Sequence, residues 1–461
     1  IKNSLDAWKD WSNTKIEERT TVFRKAATLL AGKWRNKINA ATMLNQSKNA
    51  HQAEIDAACE LIDFFNLNSS FAENINSKQD LISPSDTKNY LEYRPLEGFV
   101  FAIAPFNFTS IAGNLPSAPA LMGNVSLWKP ASSAILACYY LMEMFKEAGL
   151  PDGVINFLPG DGNVVGGPIL DHPKLAGVHF TGSTKTAKIV GQSCAARMIP
   201  VVLECGGKDA VLVDRDADLA LAAENTLWSA MSNAGQSCIG AERVYVHSEI
   251  ADKFIEIITS MAKQLKTGVT ASDSYGPATM PAQLKVISAH IKDAADQGAT
   301  FILGSPNSVH ERYVDPVIMC DVPENSTAVT DETFGPTLVI NRVANMSAAI
   351  QLANATRYGL GASVWSKRNG EKIASQLHCG MVSINSVFLF AAIASVPFGG
   401  IKDSGIGRIH GAEGLLEFAY ARTIVRPIFK IPIAFTTFKR SNFADKFIIK
   451  LVKFLYGRKK I

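Results

Sequence analysis

The residue with the most evident chemical capacity in this chain is Cys238, within residues 233–240, which read Asn-Ala-Gly-Gln-Ser-Cys-Ile-Gly. A cysteine is a strong nucleophile where the pKa of its thiol is lowered or where a neighbouring base activates it. A cysteine among small residues is, however, more often a packed core thiol than a nucleophile. The catalytic interpretation of Cys238 therefore depends on the motifs that accompany it.

Four motifs that precede Cys238 change the weight of that interpretation. Residues 203–208 read Leu-Glu-Cys-Gly-Gly-Lys and place an acid before a pair of glycines. Further upstream lie Pro-Phe-Asn-Phe at 105–108, Trp-Lys-Pro at 128–130 and Phe-Thr-Gly-Ser at 180–183. Each motif is weak evidence by itself, because short glycine motifs also form ordinary turns. Their order and spacing together carry the argument.

The elements that must position these motifs are repeated βα units, preceded by core-facing amphipathic helices in residues 1–70, one of them over residues 52–65. The predicted strands are residues 99–104, 125–129, 154–158, 177–180, 210–213 and 243–246, and the predicted helices between them include 135–148 and 251–265. Strands that alternate with helices predict an α/β protein with a doubly wound parallel sheet. Ligands bind such sheets at the carboxyl ends of the strands.

In order and spacing, these motifs resemble the aldehyde dehydrogenase superfamily. The resemblance runs from about residue 10 to about residue 425 and includes Asp-Glu-Thr-Phe-Gly-Pro at 331–336 and a glycine-rich signature at 397–411. It implies an oxidoreductase with a Rossmann-type NAD-binding domain, an α/β catalytic domain and a small β oligomerisation element.

The resemblance also implies the domain boundaries. Residues 1–77 and 98–206 would form the NAD(P)-binding domain, and residues 207–396 the catalytic domain. Strands within 78–97 and 416–428 would form the oligomerisation element. An unsupported hairpin needs a partner sheet, so a homodimer or homotetramer is expected.

The implied reaction is oxidation of an aldehyde to a carboxylic acid through a thioester on Cys238. The oxyanion that forms on attack would be bound by the Asn107 side-chain amide and the Cys238 backbone N–H. After hydride transfer, Glu204 would activate the water that hydrolyses the thioester. A buried glutamate suits this role, because desolvation raises the pKa of its carboxyl towards neutrality. No metal site is predicted.

The resemblance further implies which residues hold NAD or NADP. Lys129 would bond the adenosine ribose hydroxyls, and Ser183, at the start of a helix, would meet the pyrophosphate. Glu332 would bond the nicotinamide ribose, and Phe334 would pack beside the nicotinamide. The other predicted cofactor contacts are Ser132, Gly162 and Gly182.

Ser132 bears on the choice between the two cofactors. Family members that are strict for NAD often carry an acid at this place, which grips the ribose hydroxyls and repels a 2′-phosphate. Serine is short and neutral, so we expect that NADP is accepted as well as NAD.

Two parts of the chain favour different substrates. Residues 50–180 most resemble pyrroline-5-carboxylate (L-glutamate γ-semialdehyde) dehydrogenases, closely so at 52–65. The second half resembles general and succinate-semialdehyde dehydrogenases. In pyrroline-5-carboxylate dehydrogenases a serine after the nucleophile helps to hold the substrate carboxylate, whereas this chain has Ile239 at that position. Residues 387–393 of this chain are strongly apolar.

The predicted substrate pocket contains Phe106, Phe108, Ile239 and Phe388. Burying a carboxylate among such residues without hydrogen-bond donors is costly. Glutamate γ-semialdehyde and an apolar medium- or long-chain aldehyde are therefore both candidate substrates.

The sequence also allows two other interpretations of the chain's function. A CoA-acylating dehydrogenase would use CoA in place of water, but such enzymes commonly lack the general-base glutamate that Glu204 provides here. A catalytically inactive, cofactor-binding homologue is disfavoured because Cys238, Glu204 and Asn107 are all retained.

Composition supports a globular protein of two or three domains, with 461 residues, 47% apolar and 19% charged. The seven cysteines are scattered and include no Cys-x-x-Cys pair, which favours a reducing compartment, with the cytoplasm as the first expectation. The first residue is Ile1 and not Met, so we expect a missing start, and a mitochondrial location also stays open.

The charge of the chain is concentrated at its end. Residues 430–461 hold nine Lys and Arg and one Asp, whereas the remainder has a net charge of −4. No nucleic-acid motif accompanies this charge, so no nucleic-acid partner is expected.

Residues 429–461 are interpreted as a basic amphipathic tail. Apolar side chains that share one predicted helix face are Phe443, Phe447, Leu451, Phe454 and Leu455, and the lysines that lie elsewhere are Lys446, Lys450 and Lys453. The apolar run is too short to span a bilayer, but such a helix can lie on an anionic membrane surface. Docking on a neighbouring subunit and disorder are the alternatives.

Overall fold

The computed structural model describes residues 1–79, 81–84, 86–270, 272–429, 437–439 and 441–457. Contacts divide the chain into two units, the larger comprising Ile1–Ile75 with Arg94–Tyr420 and the smaller Asn76–Tyr93 with Ala421–Ile461. Both large sheets of the protein lie in the first unit.

The described helices, numbered α1 to α18 in chain order, are Lys2–Trp11, Ile16–Ala31, Arg35–Gln46, Ala50–Ala53, Leu61–Ser77, Thr109–Leu121, Ile135–Ala148, Gly162–Leu170, Thr184–Ala195, Leu219–Met231, Ser248–Ala262, Pro281–Asp296, Thr327–Thr330, Met346–Asn354, Gly370–Ala374, Leu389–Ala392, Gly411–Leu416 and Asn442–Tyr456. The described strands, β1 to β17, are Thr87–Pro95, Phe99–Ile103, Val125–Lys129, Ile155–Phe157, Leu175–Thr181, Val201–Glu204, Asp209–Val213, Ala241–His247, Thr300–Leu303, Val309–His310, Tyr313–Val314, Val317–Cys320, Thr337–Val343, Gly361–Trp365, Met381–Ile384, Gly405–Ile406 and Ala419–Pro427.

The first large sheet has the strand order β16-β6-β5-β2-β3-β4. Its strands are parallel except β16, which runs antiparallel to β6. Every residue of β3 is buried, as expected for a strand covered by helices on both faces. The α/β class and the parallel sheet predicted from the alternating pattern are thus confirmed.

The second large sheet has the order β15-β14-β7-β8-β13-β12-β9 and is parallel except for β9, which is antiparallel to β12. Strands β7 and β8 are buried along their whole length. Because the contacts group both sheets in one unit, the predicted boundary at residues 206–207 stays a prediction.

The predicted site residues lie at the ends of strands in the two large sheets. Lys129 and Glu204 are the last residues of β3 and β6, and Asn107 follows the end of β2. Parallel strands end at one edge of their sheet, so these side chains meet there. Cys238 and Glu332 lie just before β8 and β13 and so belong to the amino ends of the second sheet.

Two predicted helices differ from the observed ones. Residues 52–65 were expected to form a single helix. They are instead divided among the end of α4, a π-helical segment at Glu54–Glu60, and the start of α5. The helix expected at 251–265 is α11, which starts at Ser248 because the His247 side chain accepts a hydrogen bond from the Glu249 N–H and caps it.

In the smaller unit, β1 and β17 pair in a two-stranded sheet. Its helix α18 has no buried residue, and its apolar side chains include Phe443 and Phe454, which are 72% and 68% exposed. Across the described residues, no helix combines the length and apolar content that crossing a bilayer requires. The predicted tail also contains residues 430–436, 440 and 458–461, which lie outside the described residues.

Candidate active site

The loop that carries Cys238 has an unusual backbone. Asn233, Ala234 and Gly235 follow one another with φ of 53°, 55° and 70°, all in the left-handed region. Gly235 is required here, because a Cβ atom would overlap the Gly335 carbonyl. A residue other than glycine in the left-handed conformation costs free energy, and it persists only where the surrounding structure holds it in place. Such residues are frequent at functional sites.

Gln236 holds this loop in place. Its side-chain amide donates to the Asn233 carbonyl at 2.9 Å and accepts from the Thr279 N–H at 2.8 Å. Its backbone carbonyl accepts from Asn107 Nδ2 at 3.1 Å. The predicted oxyanion donor therefore lies at the loop of the predicted nucleophile, and its amide has a second N–H available for a ligand.

The Cys238 thiol is half-buried in an electronegative environment. Burial raises the pKa of this thiol well above its ordinary value, and the charges of Glu332, Asp209 and Glu204 raise the pKa further. The thiol of the free protein is therefore protonated near neutral pH. Activation must come from a base or a bound ligand, and not from a lowered thiol pKa.

Glu204 is 2% exposed at the end of β6, and neither of its carboxylate oxygens has a well-formed hydrogen-bond partner within the described part of the chain. Burial raises the pKa of this carboxyl well above 4.5, although the positive charge of Arg408 opposes the shift. A buried acid without a partner is costly and marks a candidate functional group. This is the environment expected for a general base.

Lys129 and Gly162 come together at the carboxyl edge of the first sheet. The Lys129 side chain is so close to Gly162 that a Cβ there would lie 3.6 Å from Lys129 Cε. The ammonium is largely buried, donates to the Pro130 carbonyl at 3.1 Å, and has its pKa lowered by burial. An ammonium has three donors, so Lys129 can also bond ribose hydroxyls.

Ser183 is the N-cap of α9, and its hydroxyl accepts from the Thr186 N–H at 3.3 Å. Gly182 precedes it, where a Cβ would lie 2.8 Å from the Phe180 ring. The N-terminus of a twelve-residue helix favours an anion such as a pyrophosphate. Ser132 is exposed, in a short 3-10 turn that follows β3.

Glu332 connects the two sheets. Its carboxylate accepts from the Gly207 N–H at 3.1 Å and lies against Gly206, where any side chain would overlap it. Burial raises the pKa of this carboxyl to about 8. Phe334 has φ of 51°, and its ring lies 6.1 Å from the ring of Phe106 in an edge-to-face arrangement.

Cys238 opens into a cavity of about 270 Å³. Three of the four predicted pocket residues, Phe108, Ile239 and Phe388, line it, and the Phe388 ring packs against Trp228 at 5.3 Å. Phe106 is not among the lining residues and lies instead against Phe334, in the region predicted for the nicotinamide.

Polar residues that were not among the predicted site residues line the same cavity. Lys48 and Asp56 form a buried ion pair at 2.7 Å, and the Lys48 ammonium also lies 3.9 Å from the centre of the Phe108 ring. Asp56 further accepts from the backbone N–H groups of Thr109 and Ser110, each at 2.9 Å. It thereby binds the start of α6, directly after the segment that carries Asn107.

Glu60 lies one helical turn beyond Asp56 and also lines the cavity. Its carboxylate accepts from the Ser110 hydroxyl at 2.7 Å, and burial together with the charge of Asp56 raises the pKa of the carboxyl to about 8. The sequence signal was present in Asp56 and Glu60, four residues apart, but residues 52–65 were interpreted as a core-facing helix.

His410 is a second missed lining residue. It is 1% exposed, and neither ring nitrogen has a hydrogen-bond partner among the described residues. The ring lies between Phe64 at 4.6 Å and Phe398 at 4.9 Å. Burial lowers the pKa of this imidazole to about 3, so His410 is neutral.

Comparison with known proteins supports the resemblance stated from the sequence. The family model described as "Aldehyde dehydrogenase family" matches residues 1–424. A mitochondrial delta-1-pyrroline-5-carboxylate dehydrogenase of Emericella nidulans is 38% identical over 92% of this chain and 78% of its own length. The mitochondrial enzyme of the same name from Rattus norvegicus is 35% identical over 90% of this chain and 77% of its own.

Solved structures agree. An NAD⁺ complex of an aldehyde dehydrogenase from Bacillus cereus has a TM-score of 0.88 and 30% identity, covering 93% of this chain and 88% of that one. The NAD-bound delta-pyrroline-5-carboxylate dehydrogenase of Mycobacterium tuberculosis has a TM-score of 0.85 and 34% identity, covering 94% and 83%. The chain therefore belongs to the aldehyde dehydrogenase family and is an oxidoreductase that acts on aldehydes.

Proposed function

We propose that this enzyme oxidises its aldehyde through a thioester on Cys238, with NAD or NADP as the acceptor. The observation that carries the proposal is Glu204, a buried carboxyl without a well-formed hydrogen-bond partner among the described residues, whose charge acts on the Cys238 thiol. A nucleophile with a candidate base in its electrostatic surroundings is what a two-stage acyl transfer needs.

The chain's own residues have three tasks in this reaction. The Cys238 thiol first loses its proton to solvent water. Its Sγ then bonds to the aldehyde carbon, and the carbonyl oxygen that becomes an oxyanion accepts hydrogen bonds from Asn107 Nδ2 and the Cys238 N–H. NAD(P), when bound, supplies the acceptor for the hydride that leaves this carbon. Glu204 then takes a proton from the water that attacks the thioester, which releases the carboxylic acid and restores the thiol.

The residues present fit a dinucleotide. Lys129 has unused donors beside Gly162, Ser183 begins a long helix, and Glu332 and Phe334 lie between the two sheets. We propose that these residues bind, in order, the adenosine ribose, the pyrophosphate and the nicotinamide riboside. In this proposal residues 1–77 and 98–206 are the cofactor domain, and residues 207–396 the catalytic domain.

L-Glutamate γ-semialdehyde is the first candidate substrate. The supporting observations are the names of the curated relatives and Glu60. Burial and the charge of Asp56 raise the pKa of the Glu60 carboxyl, and the neighbouring Lys48 is already paired with Asp56. A substrate ammonium would supply the missing positive charge beside Glu60.

An apolar medium- or long-chain aldehyde is the second candidate. It is favoured by the wall that Ile239, Phe388 and Phe398 form beside Cys238, in one hydrophobic cluster with Phe390. Such a wall gains free energy when it excludes water with an alkyl chain, at about 25 cal/mol per Å² of apolar surface buried.

The test is NADH or NADPH formation with glutamate semialdehyde, succinate semialdehyde, hexanal and decanal, for wild type and Cys238→Ala. Turnover of at least one aldehyde that disappears in Cys238→Ala is the expected result. Turnover that survives in Cys238→Ala, or none with any aldehyde and either cofactor, would refute the proposal. Glu60→Gln is expected to lower activity on the semialdehyde of glutamate and to leave decanal unaffected.

We further propose that the enzyme is a homodimer or homotetramer. The supporting observation is the two-stranded sheet of β1 and β17, since a two-stranded sheet is marginally stable without further strands. Residues 421–423 and 425–427 of β17 are exposed in the single chain. We also propose a reducing compartment, the cytoplasm first, because all seven cysteines are free.

A peripheral membrane contact through α18 completes the proposal. On this helix the apolar side chains of Phe443, Phe447 and Leu451 are exposed, and Lys446, Lys450 and Lys453 stand apart from them. A helix with a basic face and an apolar face binds anionic lipid surfaces. The body of the chain is acidic, so the tail is the part that an anionic membrane would attract.

A further inference from the structure

Glutamate γ-semialdehyde carries two charged groups, an ammonium and a carboxylate, and the cavity at Cys238 treats them differently. We infer that this cavity accepts an aldehyde whose chain bears no carboxylate and discriminates against one that does. This inference rests on the proposed function and favours its second candidate substrate, an apolar aldehyde, over glutamate γ-semialdehyde.

The first reason is the charge of the cavity lining. Three acids line it, Asp56, Glu60 and Asp63, against a single lysine. The side chain of that lysine, Lys48, is 2% exposed, and its ammonium is already paired with Asp56 at 2.7 Å. No other cationic side chain lines this cavity within the described residues, and a carboxylate is stable in a buried site only when it is paired.

The second reason is the state of the other donors. His410 is neutral and lies between two phenylalanine rings, so it offers one N–H at most. Ser232 and Ser237 contribute one hydroxyl each, and the side-chain amides of Gln52 and Asn233 already donate to the Ser274 and Gln236 carbonyls, each at 3.4 Å. Single neutral donors do not replace the hydration shell of a carboxylate.

The third reason is the backbone of the loop after β15. A loop beside the nucleophile can bind a carboxylate through free N–H groups, but here residues 389–392 form the short helix α16. The N–H groups of Ala391 and Ala392 both donate to the Phe388 carbonyl at 2.9 Å, and that of Ile393 donates to the Leu389 carbonyl at 3.2 Å. These donors are therefore used within the loop.

The fourth reason is the surface that remains. Ile239 is 8% exposed and packs in one cluster with Phe390 and Phe398, with Phe388 and Ala391 against it. A carboxylate next to Ile239 would lose its water and gain no partner. An alkyl chain at the same place would lose nothing and bury apolar surface.

Four aldehydes of similar length test the effects of the substrate ammonium and of the substrate carboxylate separately. Glutamate γ-semialdehyde has both the amine and the carboxylate, 4-aminobutanal has the amine only, 5-oxopentanoate has the carboxylate only, and butanal has neither. We expect removal of the carboxylate to raise kcat/KM about 100-fold in each pair, with and without the amine. An equal or higher kcat/KM for the carboxylate-bearing member of both pairs would overturn the inference.

Two variants test the structural cause. Ile239→Ser introduces a donor at the apolar wall and is expected to reduce the penalty for the carboxylate about tenfold, whereas Ile239→Val is expected to keep the wild-type ratio. If the two variants show the same ratio, Ile239 does not set the discrimination.

The inference can fail independently of the proposed function. Calorimetry can measure the binding of 4-aminobutanal and of glutamate semialdehyde to Cys238→Ala, and this measurement does not depend on turnover. Weaker binding of the carboxylate-bearing aldehyde supports the inference even if the reaction pathway is wrong, and tighter binding of it contradicts the inference even if wild type oxidises aldehydes.

Discussion

At the scale of single residues, the site combines a nucleophile and a base that are both shifted towards their neutral forms. Burial raises the pKa of the Cys238 thiol and of the Glu204 carboxyl, and the charge of Glu204 raises the pKa of the thiol further. A raised carboxyl pKa makes Glu204 a stronger base once it is ionised.

Glu204→Gln should separate the two halves of the reaction. We expect one equivalent of NADH in a rapid burst, because the thioester still forms, followed by steady-state turnover about 10²–10³-fold slower. Stopped-flow absorbance measures both phases. Loss of the burst together with turnover would show that Glu204 acts before the thioester.

The pH dependence follows from the same residue. Water activation needs ionised Glu204, and because the pKa of this carboxyl is raised well above 4.5, kcat should rise with pH through the neutral range and not level off near pH 5. A kcat that is flat from pH 5 upwards while hydrolysis limits the rate would contradict this assignment.

Ser132 gives a prediction on cofactor choice. We expect Ser132→Glu to lower kcat/KM for NADP at least tenfold, because a carboxylate would face the 2′-phosphate, and to leave kcat/KM for NAD within about threefold. Ser132→Ala is the control for size. No turnover of wild type with excess NADP, where NAD works, would refute the expectation that both cofactors are used.

At the scale of elements, the site is built by the π-helical segment Glu54–Glu60 and the start of α6. The segment turns Asp56 inwards, where its carboxylate accepts from the Lys48 ammonium and from the backbone N–H groups of Thr109 and Ser110. A carboxylate at a helix N-terminus is stabilised by the helix dipole. Asn107 precedes this helix, so Asp56 is a positioning residue for the oxyanion donor.

Asp56→Asn should reveal that role. Removing one charge of a buried ion pair leaves Lys48 uncompensated, so we expect a loss of about 3 kcal/mol in the free energy of unfolding and a lower kcat at unchanged KM for the cofactor. Denaturant unfolding and steady-state kinetics measure the two effects. Asp10→Asn, an exposed acid of α1 outside the cavity lining, is the control and should change stability by less than about 0.5 kcal/mol.

At the scale of the whole molecule, the smaller unit carries surfaces that the larger one does not need for its fold. Both large sheets and the residues of the candidate site lie in the larger unit. The smaller unit contributes exposed strand backbone and an exposed amphipathic helix. Association with other copies and with a membrane are therefore properties to be tested separately from catalysis.

Thr423→Pro tests the association of subunits. Proline removes a backbone N–H from exposed β17, so we expect a shift from dimer or tetramer to a smaller species in light scattering coupled to size-exclusion chromatography. Thr423→Ser keeps the N–H and should behave as wild type. A monomeric wild type would show that the homo-oligomer is not formed.

Flotation with liposomes tests the tail. We expect the full chain to float with vesicles that contain anionic phosphatidylserine and to remain behind with neutral vesicles or at high salt. A 1–428 truncation and the full-length double variant Phe447→Asp, Leu451→Asp should not float. Equal flotation of all three proteins would exclude α18 as the membrane contact.

The sequence by itself determined the fold class, the family, and the order of the chemically important motifs. Alternating strands and helices predict a parallel sheet because local periodicity reflects which face is buried, and Lys129 and Glu204 do lie at the carboxyl ends of β3 and β6. Motifs such as those around Glu204 and Cys238 are local, so they can be read without knowledge of distant contacts.

Only the tertiary structure decided what surrounds Cys238. Asp56, Glu60 and His410 are far from Cys238 in the chain and line the cavity beside it because the π-helical segment Glu54–Glu60 and α17, which His410 precedes, both pack against α6. Phe106 is turned towards Phe334 for the same reason. Burial, charge pairing and hydrogen-bond satisfaction depend on contacts between distant segments, so substrate specificity, unlike reaction class, could not be derived from local sequence patterns.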